Sequence, residues 1–172
     1  MRRTWPPRLE THFRAHLRTR LQPHGRAPQR GVAAVELALL LAPMLVLLFG
    51  VTELGRALYT YNTLGKTVRD AARHLSQHGP GDPLIAAEAR CLAVHGNPDC
   101  SGSALAPGLS TAQVRLCDAV LCPSTHASQS TGLGALNLVT VGVADYAWSS
   151  ALQWVVPDLR FNTISVTLRA QL

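Results

Sequence analysis

The chain is 172 residues long and 47% hydrophobic, which excludes a disordered polymer, and only 5% aromatic, so a core has to rest on Leu, Val and Ala. Its net charge of +6 lies wholly in the first 30 residues, where eight arginines against Glu10 give +7, leaving −1 for the rest. A basic, nucleic-acid-binding body is thereby excluded, and no nucleic-acid partner is expected.

Residues 1–31 read as a basic cytoplasmic leader. From Val32 to Val51 the sequence turns apolar, VAAVELALLLAPMLVLLFGV, with Glu36 as its single charge. Twenty helical residues rise about 30 Å, one hydrocarbon thickness, so residues 32–51 are predicted to be a transmembrane helix in contact with membrane lipid. Arginines on its N-terminal side predict a cytoplasmic N-terminus and an extracytoplasmic remainder. No small-x-small cleavage site follows the apolar run, since Phe49, Glu53 and Arg56 crowd that place, so the segment is expected to be retained. Pro43 lies within it, which membrane helices tolerate.

Beyond the span, Leu54, Leu58, Tyr61, Leu64, Val68, Ala72 and Leu75 step by threes and fours, one apolar stripe of an amphipathic helix. The membrane helix is therefore expected to continue outward until the Gly-Pro-Gly-Asp-Pro stretch at 79–83 ends it. A second helix is predicted from Leu84 to about His95, with Asp82 as cap and Pro83 at its first position. Residues 96–110 read as loop, and the stretch from Gly96 to Gly134 is weakly patterned. Strands follow: Ala112, Val114 and Leu116 in alternation, then Val139, Val141 and Val143, then Ile164, Val166, Leu168, Ala170 and Leu172 against polar neighbours. The expected fold is α+β and membrane-anchored, with a long N-terminal helix, half transmembrane and half amphipathic, packed on a small antiparallel sheet. Residues 52–172 form the extracytoplasmic helix-plus-sheet domain. Trp148, Trp154, Val155 and Val156 precede Pro157 and are read as core in preference to a partner-binding patch.

All four cysteines, Cys91, Cys100, Cys117 and Cys122, lie beyond the span, where an oxidising compartment favours disulfides. Three pairings are open, and Cys91–Cys100 with Cys117–Cys122, which closes short loops, is preferred. A metal site on Cys91, His95 and Cys100 is the alternative, but that spacing matches no zinc ribbon or finger. His74 and His78 stand four apart, a spacing that suits a metal and equally suits two solvated groups near a helix end. No carboxylate pair, nucleophile motif or phosphate loop is present, so no enzyme, cofactor or bound metal is expected. Glu53 and Arg56, three apart at the outer membrane boundary, read as a surface ion pair whose main effect is to end the span.

The informative unit is Gly31-Val-Ala-Ala-Val-Glu36 directly after the basic leader. A charge at the centre of a span costs ~2.5–3.5 kcal/mol, and less near its end, where Glu36 lies. The segment resembles the processing site of type IV prepilins and pseudopilins, in which a peptidase cuts after a glycine and glutamate is the fifth mature residue. Cleavage between Gly31 and Val32 would make Glu36 fifth. The new Val32 ammonium would then pair with Glu36 of a neighbouring subunit. At ~4 Å and an effective dielectric near 20 that pair gains about 4 kcal/mol before desolvation.

Arg30-Gly-Val-Ala-Ala-Val-Glu-Leu-Ala-Leu, Pro43, Gly50-Val-Thr-Glu-Leu-Gly-Arg56 and Ala71-Ala-Arg73 together resemble the TadE-like family, minor-pilin or pseudopilin-like proteins of tight-adherence (Flp) pilus systems. The resemblance implies a pilin-like fold and a part in pilus assembly at the bacterial inner membrane, with the C-terminal domain periplasmic. The implied partners are a prepilin peptidase, other pilins or pseudopilins, and inner-membrane pilus assembly proteins. An uncleaved, signal-anchored envelope-binding protein is the alternative, and a membrane-tethered metal or redox enzyme a distant third.

Overall fold

The computed structural model describes residues 30–132 and 134–171. Nearly all of the predicted leader, residues 1–29, lies outside them, as does Leu172 of the last predicted strand. The chain divides into two units, Met1–Ala42 and Pro43–Leu172. Helix α1, Arg30–Ser76, begins in the first and continues in the second, with Pro43 inside it. Of the first unit, residues 31–42 are helical and exposed throughout.

α1 is long and apolar enough to cross a membrane. Its apolar side chains from Val32 to Phe49 are all exposed to the surroundings, Leu39 by 69% and Leu47 by 68%. An unburied run of this length needs lipid or other helices to cover it. This anchor-length helix and a small antiparallel sheet make the fold α+β, membrane-anchored and pilin-like.

The second unit has its core on the outer part of α1, where Leu64, Val68, Ala71, Ala72 and Leu75 are buried. The inner part departs from the predicted stripe. Leu54, Leu58 and Tyr61 are exposed, and the buried positions there are Glu53, Ala57 and Thr60. The helix turns a face of small and polar residues toward its own domain at this level. It leaves the larger apolar side chains outward, as suits a helix just emerging from lipid. Apolar spacing could not separate a core-facing stripe from one facing the surroundings.

Helix α2, Pro83–His95, follows the predicted signals. Asp82 accepts from the Leu84 amide at 2.8 Å. Gly96 closes it at φ 78°, a left-handed position, its N–H donating to Leu92 O. Both ends thus satisfy backbone groups that a helix leaves unpaired.

A short 3₁₀ turn, Thr111–Gln113, takes the place predicted for the start of a strand, because the Gln113 side chain folds back to accept from the Ser110 amide at 3.0 Å. Strand β1 is Val114–Cys117. There follow a single helical turn α3, Pro123–His126, and a two-residue ribbon of β2, Gln129–Ser130, with β3, Ala135–Leu136. Next come β4, Leu138–Val143, a second ribbon of β5, Ala147–Trp148, with β6, Leu159–Arg160, and finally β7, Ile164–Arg169. The stretch from Gly96 to Gly134, weak in pattern, therefore carries several ordered elements.

The main sheet is antiparallel in the order β1-β4-β7. Val139, Val141 and Val143 of β4 stand opposite Leu168, Val166 and Ile164 of β7, and Val143 and Val141 opposite Val114 and Leu116 of β1. One face of the sheet is thus a valine-rich layer that shares a core with α1 and α2. Gly142 faces the other way, opposite Ser165. A Cβ there would stand 3.0 Å from the Ser165 Cβ and 3.3 Å from the Ile164 carbonyl oxygen, so close strand approach needs glycine.

Candidate functional site

Gly31 and Val32 lie in the first turn of α1, both exposed, with nothing near Gly31. Glu36 is exposed one turn on from Val32, at the i+4 spacing that puts the two on one helix face.

At the outer end of the apolar run, Glu53 and Arg56 form an ion pair, Arg56 Nη1 to Glu53 Oε1 at 2.6 Å. The pair is not merely a span terminator. The Glu53 side chain is only 5% exposed and Arg56 is 48% exposed. The second carboxylate oxygen, Oε2, accepts from Ser150 Oγ at 2.9 Å and from the Ala151 amide at 3.1 Å. Burial alone would raise the Glu53 pKa. The hydrogen bonds from Arg56, Ser150 and Ala151 outweigh that and hold the carboxyl below its ordinary range. Arg56 also lies over the Trp148 ring, its guanidinium carbon 5.8 Å from the centroid.

The segment that Glu53 grips is a tight turn. Val155 and Val156 amides donate to the Leu152 carbonyl at 2.8 and 3.0 Å. The Leu152 amide donates to Ser150 Oγ at 3.1 Å, and the Ser150 amide to Asp158 Oδ1 at 2.9 Å. The four residues read together as core separate here. Trp148 is buried at 3% exposure, Val155 and Val156 are half-buried, and Trp154 is 70% exposed.

Cys91 is bonded to Cys100 and Cys117 to Cys122. Each sulfur is occupied by its partner, so no thiolate is left for a metal at Cys91, His95 and Cys100. His95 Nδ1 instead meets the Gly102 carbonyl at 3.1 Å. His126 also comes close to the Cys117–Cys122 sulfurs, which are likewise spent on each other. His74 and His78 come together with ring centroids 4.6 Å apart, while His74 Nε2 meets Glu88 Oε2 at 3.0 Å and His78 Nδ1 the His74 carbonyl at 2.7 Å.

Two residues that hold the domain together escaped sequence reasoning. Ser150 carries no local mark, since its partner is distant in the chain. Asp118 does carry one, an acid two and three residues before the amides it accepts from, as in an Asx turn. Its Oδ1 accepts from the Val120 and Leu121 amides at 2.9 and 2.7 Å, and its Oδ2 from the Gly81 amide at 2.9 Å. Asp118 thereby ties the α1–α2 turn to the Cys117–Cys122 loop. Burial would raise its pKa, but the Leu121, Gly81 and Val120 amides, helped by His126, bring it below the ordinary value.

The TadE-like protein family matches residues 31–73. The match opens at Gly31, takes in Glu36, Glu53 and Arg56, and lies wholly within α1. No curated protein and no solved structure matches the chain. The chain is an α+β protein with one helix of anchor length, and its residues 31–73 are similar to the TadE-like family.

Proposed function

We propose that this protein is a minor pilin or pseudopilin-like component of tight-adherence pilus assembly, cut by a prepilin peptidase after Gly31. The observation that carries the reading is the family match that begins at Gly31; a cut after Gly31 would make Glu36 the fifth residue. The exposure of Gly31, Val32 and Glu36 supports it, because both a peptidase and a neighbouring helix need to reach them. The cut creates an ammonium at Val32. Glu36 of a neighbouring pilin or pseudopilin pairs with it in the low-dielectric bundle and sets the axial register between helices. Before assembly the protein sits in the bacterial inner membrane with its N-terminus cytoplasmic and its helix-plus-sheet domain periplasmic. No step needs a cofactor or a metal.

The test is Glu36→Leu in the native host. The variant is expected to be processed and membrane-bound yet no longer to crosslink to other pilins in membranes, whereas Glu36→Asp keeps part of the crosslink. Undiminished crosslinking of Glu36→Leu would overturn the pairing mechanism.

A further inference from the structure

We propose that the turn from Ser150 to Pro157 is a membrane-interface anchor, with the Trp154 indole seated among lipid headgroups beside the end of the apolar part of α1. The proposal rests on the reading of residues 32–51 as the membrane span.

Position is the first argument. A Cβ built on Gly50 would stand 3.5 Å from Val155 Cγ1, so the turn lies against the last residues of the apolar run. Glu53, one helical turn further out, holds the Ser150 hydroxyl and the Ala151 amide. The turn is therefore level with residues 50–53, where hydrocarbon gives way to headgroups.

Rigidity is the second. The turn closes on itself through Leu152, Ser150 and Asp158, and Gln153 Nε2 reaches both Asp158 oxygens at 3.2 and 3.4 Å. Trp154 is thus displayed on a fixed support, 70% exposed, while the neighbouring Val155 and Val156 turn inward. A held, exposed indole suits the headgroup layer, which takes its apolar body and its N–H together.

The surroundings agree. Val51, Leu54 and Leu58 are exposed on the adjoining helix at 70, 54 and 55%. Arg56 is half exposed at the same level and offers a cation to lipid phosphate. The Asp158 carboxylate accepts from the Ser150 amide and Gln153 Nε2 within the turn. A bilayer surface meets all of these at once.

The experiment places the full-length chain in phosphatidylethanolamine–phosphatidylglycerol vesicles and isolates Trp154 emission as the difference between the unaltered chain and Trp154→Phe. Lipids brominated near the headgroup end of the acyl chain are expected to quench more than half of that emission, and aqueous iodide to quench little. Emission open to iodide and untouched by bromolipid overturns the proposal, and so does emission shielded from both, which would mean protein cover. A Leu41→Trp substitution in the Trp154→Phe background reports the span itself through lipids brominated deep in the chain. If Leu41→Trp is quenched and Trp154 is not, the interface anchor alone fails. If Leu41→Trp is not quenched, the span reading fails and takes the anchor with it.

Discussion

Glu53 and Ser150, 97 residues apart in sequence, are joined by a hydrogen bond of 2.9 Å between the serine hydroxyl and a carboxylate oxygen whose twin is held by Arg56. One acidic side chain thus fastens the late turn to the level where α1 leaves its apolar run. Glu53→Ala is expected to speed amide hydrogen exchange at Ala151 and Leu152, with Glu53→Gln, which keeps an acceptor, intermediate. Ser150→Ala added to Glu53→Ala should add little at Ala151, whose acceptor is already gone, and should add exchange at Leu152, whose amide donates to Ser150 Oγ. Because the Glu53 pKa is lowered from 4.5, its contribution is present above that value and fades as pH falls through the lowered one. Unchanged exchange in Glu53→Ala would remove the clamp from the account.

Asp118 is 2% exposed and accepts from three backbone amides. Asp118→Ala leaves those donors without a partner and is expected to cost about 2–3 kcal/mol of stability at neutral pH. The folded pKa lies below the ordinary 3.8, so this stability is complete above 3.8 and is lost as pH drops through the folded value. Urea unfolding in detergent at neutral pH and at about pH 3 should show the gap between wild type and Asp118→Asn narrowing in acid. An equal gap at both would assign the Asp118 contribution to packing.

The disulfides close loops of sequence separation 9 and 5. Chain-entropy arguments give each about 2–3 kcal/mol. Cys91→Ser with Cys100→Ser, and separately Cys117→Ser with Cys122→Ser, should each lower the unfolding midpoint, while metal chelators leave the wild type unaffected. A chelator-sensitive midpoint would point to metal-bound thiolates in place of the disulfides.

Gly142→Ala places a methyl group against Ser165 and the Ile164 carbonyl. Strand β7 has to shift away from β4, with an expected loss of about 1–3 kcal/mol. Shortening Ser165 by Ser165→Gly should recover part of it, which thermal melts of the single and double variants would read.

Much of this architecture is legible in the sequence because it is written in local signals. The apolar run names the anchor, Asp82 with Pro83 names the start of α2, and alternating valines name β4. What stays hidden is set by distant partners. Glu53 reads as a surface charge until Ser150 and Ala151 arrive from the far end of the chain to bury it. Leu54, Leu58 and Tyr61 read as core because spacing reports which residues share a face and not what that face meets. Trp154 and Trp148 look alike in sequence, and only the turn around Ser150 sends one out and the other in. At Gly31 and Glu36 the sequence carries more than the fold, since on the proposed function their chemistry needs a peptidase and a neighbouring helix.

The measurement that bears most directly on the account is the intact mass of the protein from native membranes, with Gly31→Leu as control. A mature chain beginning at Val32, and a Gly31→Leu chain that keeps its leader, is the result expected. A chain beginning at Met1 or Arg2 in cells with active pilus machinery would contradict it, leaving an uncleaved, signal-anchored envelope protein in which Glu36 has no new ammonium to meet.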